Sequence, residues 1–232
     1  MKKVILYEII ISVVLTMLTV SSCKKPDKLV ALSFDDGPNS VMTELVLDKL
    51  KKHHVPGTFF VIGKLVTDET APTLKRMVEM GCEINNHSWE YESMDHMNEE
   101  QVKKSINRTN EAVEKYTGQK PKFFRAPNLA VSSNLYQYVD MPFICGVVAK
   151  DWQGCNTDAK MRAQNVLDGV SDGAIILMHD VQPYPHPTPE ALDILIPALK
   201  KQGYEFVTVS ELFKRKGITP ELHQHKMWTV VR

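Results

Sequence analysis

The chain has 232 residues, 43% of them hydrophobic and 24% charged, enough for one sizeable core in a single domain. Lysine plus arginine and aspartate plus glutamate each number 28, so the formal net charge is +0. That balance argues against the broad basic face of a nucleic-acid binder and points to partners that are neutral or need only local charge.

In chain order the first element is a targeting segment. Lys2 and Lys3 form a short basic region, Ile9 to Val20 is mostly apolar, and Val20-Ser21-Ser22 leads to Cys23. The apolar run is too short for a spanning helix, which needs about 20 residues. Small residues before Cys23 and KKPDK after it resemble a bacterial lipoprotein cleavage site. That implies a signal peptide over 1–22, a lipid on Cys23, and an exported protein held on the membrane of the cell envelope, at its periplasmic or surface face. An ordinary secretory signal cleaved nearby is the alternative, and it too predicts export. Cys82, Cys145 and Cys155 are then odd in number and make no disulfide framework; the first two sit in apolar runs and read as core thiols.

From residue 29 onward, short apolar runs alternate with helical patterns. LVALSF, GTFFVIG, GCEIN, PKFFRA, FICGVVA, GAIILMHD and YEFVTV are rich in β-branched and aromatic residues and bounded by turn residues, so each is expected to be a buried strand. TELVLDKLKKH, APTLKRMVEMG, NEEQVKKSINRTNEAVEKYTG and PEALDILIPALKKQG carry apolar residues at helical spacing with Gly near several ends. Regular βα alternation predicts a parallel α/β fold, either a barrel or an open doubly wound sheet. Repeats, low-complexity tracts and linkers are missing, so one domain over 29–232 and a monomer are expected.

In such folds the chemistry lies at the C-terminal strand ends. There the sequence places Asp35 and Asp36 (SFDDGP), His87 (NNHSW), Arg125 (FFRAPN), Asp151 (KDW) and His179 (LMHD). Each alone has a plain reading. Asp-Asp-Gly-Pro makes a good turn, His87 a satisfied strand-end histidine, Arg125 a surface ion pair, Trp152 a rim aromatic, and His179-Asp180 a capping pair. Their joint occurrence, each just past an apolar strand, is what the plain readings leave unexplained.

Five motifs in order, SFDDGP, NHSWEY, RAPN, KDW and LMHD, resemble the polysaccharide deacetylase family, the NodB-homology domain of family-four carbohydrate esterases. The likeness runs from about Leu29 to Phe213. It implies a distorted (β/α) barrel of seven or eight strands and metal-assisted removal of acetyl groups, usually from N-acetylglucosamine polymers and sometimes from xylan. It further implies that Asp35 is the general base, oriented by Arg125, and that Asp36 and His87 bind a divalent ion, usually zinc, with cobalt, nickel or manganese as alternatives. By the same resemblance His179 is the general acid, tuned by Asp151. A backbone N–H near Asn128, after Pro127, holds the oxyanion, and Trp152 with Leu177 shapes the acetyl pocket.

The physical logic agrees. An amide carbonyl is a poor electrophile that gains from a Lewis acid, and a departing amine needs a proton donor opposite the base. Two positions depart from the family pattern. Tyr91 stands where a second histidine would complete a metal triad, and catalytic zinc normally keeps three protein ligands. Tyr91 either ligates as a phenolate or only packs there, and Asp95 or His96 are weaker replacements. Asn128 replaces a tyrosine, a change that spares the backbone donor. His186 is a groove candidate or a plain loop residue, and His53 and His54 follow a basic helix and read as solvated surface. The readings left open are an N-acetyl deacetylase, an O-acetyl esterase acting on xylan, and a catalytically silent carbohydrate binder.

Overall fold

The central strand is β1 (Lys28–Asp35), buried throughout after Lys28. A strand covered on both faces shows a continuous apolar run, as LVALSF does. One flank of β1 pairs in parallel with β6 (Ala174–His179), which sets Asp35 opposite His179. The other flank is divided: β7 (Tyr204–Phe206) takes Lys28 to Val30, and β2 (Thr58–Val61) takes Ser33 to Asp35. The computed structural model describes residues 28–156, 158–182 and 186–232. The expected signal peptide and Cys23 lie outside the described residues, and so does the side chain of Cys155.

From β2 the pairing passes to β3 (Glu83–Asn86), then by single bridges from Asn86 to Phe124 and from Phe124 to Phe143 in β4 (Phe143–Ile144). The chain bends at Cys145 and Gly146 and resumes as β5 (Val147–Val148), which pairs with β6. The circuit therefore returns to β1 through parallel neighbours, the distorted barrel that the motif resemblance implies. Gly146 makes the closing bend feasible, because a Cβ there would lie 2.7 Å from Leu177 Cβ and 3.0 Å from the Ile175 carbonyl oxygen. A last short strand, β8 (Met227–Trp228), pairs with β4.

Seven α-helices occur among the described residues: α1 (Met42–His53), α2 (Ala71–Glu79), α3 (Glu99–Thr117), α4 (Ser133–Tyr138), α5 (Ala159–Gly169), α6 (Thr188–Lys201) and α7 (Val209–Lys216). None is long and apolar enough to cross a membrane. Period-two alternation splits β1 between two cores. Val30, Leu32 and Phe34 pack outward beneath α1, α2, α5 and α6. Leu29 and Ala31 point the other way, into a cluster with Ile175, Ile144 and Phe213 of α7 that fills the base of the barrel. Continuing that inward face, Ser33 and Asp35 are the next two residues, which is why a carboxylate ends up inside the barrel mouth.

Four expectations are corrected. PKFFRA is a strand only at Phe124, because the side-chain Oδ1 of Asn85 accepts the N–H groups of Lys122 and Phe123 (2.9 and 3.1 Å) and replaces ladder pairing there. FICGVVA is two strands rather than one. YEFVTV ends as a strand at Phe206, since Thr208 caps α7 by accepting from the Glu211 N–H. His53, expected on the solvated surface, pairs with Asp193 at 2.8 Å beside Lys49 and Lys52, tying α1 to α6. Helices α4, α5 and α7 and strand β8 were not foreseen; their apolar patterns are short.

Candidate active site

Asp35 closes β1, and Asp36 turns away from it with a positive φ of 78°. Extended backbone would have sent the two carboxylates to opposite faces. The left-handed turn, which aspartate tolerates better than most residues, instead keeps both near one mouth. Asp180 holds this turn from behind: its carboxylate accepts from the Gly37 N–H (3.2 Å) and from the Thr43 hydroxyl. A Cβ on Gly37 would meet Asp180 Oδ2 at 2.2 Å, so only glycine fits. Burial, with Asp36 and Asp35 nearby, pushes the Asp180 carboxyl up to about 7.

Arg125 is fully buried beneath Asp35. It donates from Nη1 to Asp35 Oδ1 (2.5 Å), from Nη2 to Ser33 Oγ (2.8 Å) and the Cys145 carbonyl (2.7 Å), and from Nε to the Ile144 carbonyl (3.3 Å). Its guanidinium lies 4.1 Å over the Phe60 ring. This is a charge in a built socket rather than the surface pair of the plain reading. Ser33, a lone polar residue in an apolar strand, completes the socket and passes its own hydrogen to the Ile176 carbonyl at 2.6 Å.

His87 follows β3 and donates from Nδ1 to the Arg125 carbonyl (2.6 Å), since a carbonyl can only accept. Nε2 is thereby aimed at Asp36 Oδ1, 3.4 Å away, with Asp35 Oδ2 at 3.9 Å. Asp36 Oδ1 is buried without a hydrogen-bond partner. Bonds of about 2.0–2.2 Å at a tetrahedral angle set two ligands roughly 3.3–3.6 Å apart, so the two atoms fit a shared divalent ion. Among the described residues no group of three or more His, Cys, Asp or Glu converges on such a point.

Tyr91 lies in a loop after His87, not on a helical turn, and its ring meets the His87 ring edge-on at 6.2 Å. Its hydroxyl donates to Asn128 Oδ1 at 2.8 Å, so the two positions that depart from the family pattern touch each other. Burial and the charges of Asp36 and Asp35 push the phenol pKa up, which opposes a phenolate. Asp95 and His96 pair with one another at 3.2 Å with His96 89% exposed, and neither lines the pocket.

Opposite Asp35 stands His179, at the end of β6. Its Nδ1 meets Asp151 Oδ1 at 2.8 Å, and its backbone N–H donates to Asp151 Oδ2 at 2.7 Å. Burial works against a charged imidazole, but the Asp151 hydrogen bond and the charges of Asp151, Asp35 and Asp36 outweigh it and raise the pKa to about 9. Asp151, for which burial acts upward, is held low by the same partner. A pKa raised in the folded state stabilises the fold fully below the ordinary value near 6.5, and that stabilisation is lost as pH climbs through about 9. Asp151→Asn should therefore bring the His179 titration down and remove this pH-dependent stability, as read by histidine ring NMR and by melts at neutral and alkaline pH.

Asp35, His87, Tyr91, Asn128, Trp152, Leu177 and His179 line one cavity of about 360 Å³, with Val148 beside Leu177. Trp152 is 48% exposed and meets the His179 ring edge-on at 6.1 Å. Asp36 faces an adjoining hollow that shares Tyr91 and Gln182 with the first, and Gln182 donates to Asp36 Oδ2 at 3.2 Å. Arg125 and Asp151 sit behind the surface, and Pro127 is buried in the short turn Pro127–Leu129 rather than on the cavity wall. His186 is held low in pKa by burial and does not line the cavity. Sequence reasoning missed Ser33, Gln182 and Thr188; only Ser33 left a signal, as a polar residue in an apolar strand.

The sequence profile described as polysaccharide deacetylase matches residues 22–141. A bifunctional xylanase/deacetylase of Pseudobutyrivibrio xylanivorans is 45% identical over 88% of this chain and 33% of its own length. The peptidoglycan-N-acetylglucosamine deacetylase PgdA of Listeria monocytogenes is 39% identical over 83% of this chain and 40% of its own. The chain thus spans between a third and two fifths of these two relatives. A solved structure, the family 4 acetyl xylan esterase of Clostridium thermocellum in complex with a cobalt ion, is 54% identical and covers 88% of this chain and 99% of its own, with a TM-score of 0.86. On the profile match, the shared barrel and these identities, the chain belongs to the polysaccharide deacetylase family.

Proposed function

We propose that this chain is a metal-dependent hydrolase that releases acetyl groups from an acetylated carbohydrate polymer, with Asp35 as base and His179 as acid. The observation that carries this reading is the facing of two buried ion pairs, Asp35 with Arg125 and His179 with Asp151, across one cavity. Asp36 and His87 would hold the ion, zinc or cobalt before nickel or manganese, and when bound it supplies Lewis-acid polarisation of the acetyl carbonyl. Arg125 occupies one oxygen of Asp35 and leaves the other to take the proton of the attacking water. The Asn128 N–H, at the start of a short helical turn where backbone donors lack intrahelical partners, serves the oxyanion. Leu177, Val148 and Trp152 hold the methyl group and exclude water. His179 carries its proton below about pH 9 and delivers it to the leaving atom.

Of the two bond classes, the O-acetyl ester of a xylan-type polysaccharide is favoured. The relatives of highest identity above are a xylan esterase and a xylanase/deacetylase. An alkoxide also leaves more readily than an unprotonated amide nitrogen, so an ester suits a site with two evident ion donors. The N-acetyl amide, which the motif resemblance puts first, is supported by the strength with which His179 is held as an acid. Residues 29–232 form the catalytic domain in this reading, and export with a lipid on Cys23 is proposed from the sequence alone.

The test is acetate release by the chain from residue 24 onward on acetylated xylan and on N-acetylglucosamine oligomers, with chelator, zinc or cobalt. Release that the chelator removes and an ion restores, faster on xylan, is the expected result. Silence of a folded protein on both substrates with every ion would favour a carbohydrate-binding role.

A further inference from the structure

Behind His179 and Asp151 runs a buried chain of polar groups. Thr188, at the start of α6, is fully buried, as are Asp151 and Arg162 of α5. Its Oγ1 lies 3.0 Å from Asp151 Oδ2 and 2.9 Å from Arg162 Nη1. A guanidinium has only donors, so the threonine oxygen accepts from Arg162 and its single hydrogen is directed to Asp151. Asp151 Oδ2 therefore receives two donors, this hydroxyl and the His179 N–H at 2.7 Å. With that oxygen held twice, the carboxylate cannot rotate, and Oδ1 is presented to His179 Nδ1.

We propose that Thr188 is the positioning residue of the acid: its hydroxyl locks Asp151 and stands between that carboxylate and Arg162, so that the negative charge of Asp151 stays committed to His179. The proposal rests on the role assigned to His179 above. The charged and titratable groups facing His179 are Asp151, Asp35 and Asp36 at the end of β1, and His186 ahead of α6, with Arg162 behind Asp151. Thr188 touches Asp151 and Arg162, and of these two Asp151 is the one bonded to the His179 ring. Removing the hydroxyl frees the carboxylate to turn and lets Arg162 pair with it directly. Both changes withdraw support from the imidazolium.

Thr188→Val keeps the branched shape without the hydroxyl, and Thr188→Ser keeps the hydroxyl. The readout is the His179 ring titration by NMR in the chain from residue 24 onward, which contains every described element, with the signal assigned through His179→Gln. In the valine variant the His179 pKa is expected to fall by about one unit, roughly a tenfold loss of proton affinity, and the serine variant should titrate as the unaltered chain does. The alkaline limb of kcat should move with it while KM holds. An unchanged pKa in the valine variant, or an equal fall in both variants, would overturn the proposal. If the valine variant does not fold, Thr188→Ala is read in the same way. The NMR titration needs no turnover, so absence of acetate release from the unaltered chain would count against the proposed reaction and leave the assignment of Thr188 to be decided by the pKa.

Discussion

Asp35→Asn is expected to reduce acetate release by about 10²–10⁴-fold, the range lost when a positioned general base is removed. Asparagine has the same shape, and its carbonyl oxygen can still accept from Arg125 Nη1, but it cannot take a proton from water. The loss should fall on kcat with KM nearly unchanged, because the cavity walls, Leu177, Trp152 and Tyr91, are untouched. The measurement is steady-state acetate release on the better substrate, run well below the melting temperature of the variant. Retention of full activity would move the base to Asp36, whose Oδ1 lacks a hydrogen-bond partner.

Arg125→Met should have the largest effect on stability. Removing one member of a buried ion pair leaves an uncompensated charge and costs about 3–5 kcal/mol. Here Asp35 would be stranded, 3% exposed, while Ser33 and the carbonyls of Ile144 and Cys145 lose donors at the same time. For a chain of this size the cost corresponds to a fall in Tm of roughly 6–20 °C. Asp35→Asn should cost less, since Arg125 keeps its contacts to the two carbonyls and to Ser33. Denaturant unfolding of both variants tests that order. A loss below about 1 kcal/mol for Arg125→Met, the range of exposed pairs, would mean that water reaches the pair and that the socket is not closed.

Much of the fold was legible because its signals are local. The runs LVALSF and AIILMH are apolar enough to be recognised as covered strands, and β1 and β6 lie side by side along their length. The segments that failed were those whose hydrogen bonds are taken by side chains. Asn85 draws Lys122 and Phe123 out of the ladder, and Thr208 starts a helix where a strand had been expected to continue. Neither outcome can be read from apolar periodicity, because an asparagine or a threonine looks the same whether it faces solvent or caps a backbone.

The sequence by itself determined which chemical groups stand at the barrel mouth: Asp35, Asp36, His87, Arg125 and His179 all follow apolar strands or bridge positions, and strand ends in a parallel barrel converge. Tertiary structure alone decided how they are paired. Arg125 meets a carboxylate 90 positions away, and Asp151 is gripped by a threonine 37 positions further on. It also decided that Tyr91 spends its hydroxyl on Asn128, and that Asp36 leaves extended geometry to face His87. The reason is physical: hydrophobic patterning repeats every two or 3.6 residues and is written along the chain, whereas a buried polar contact depends on ångström-scale distances between segments that only packing brings together.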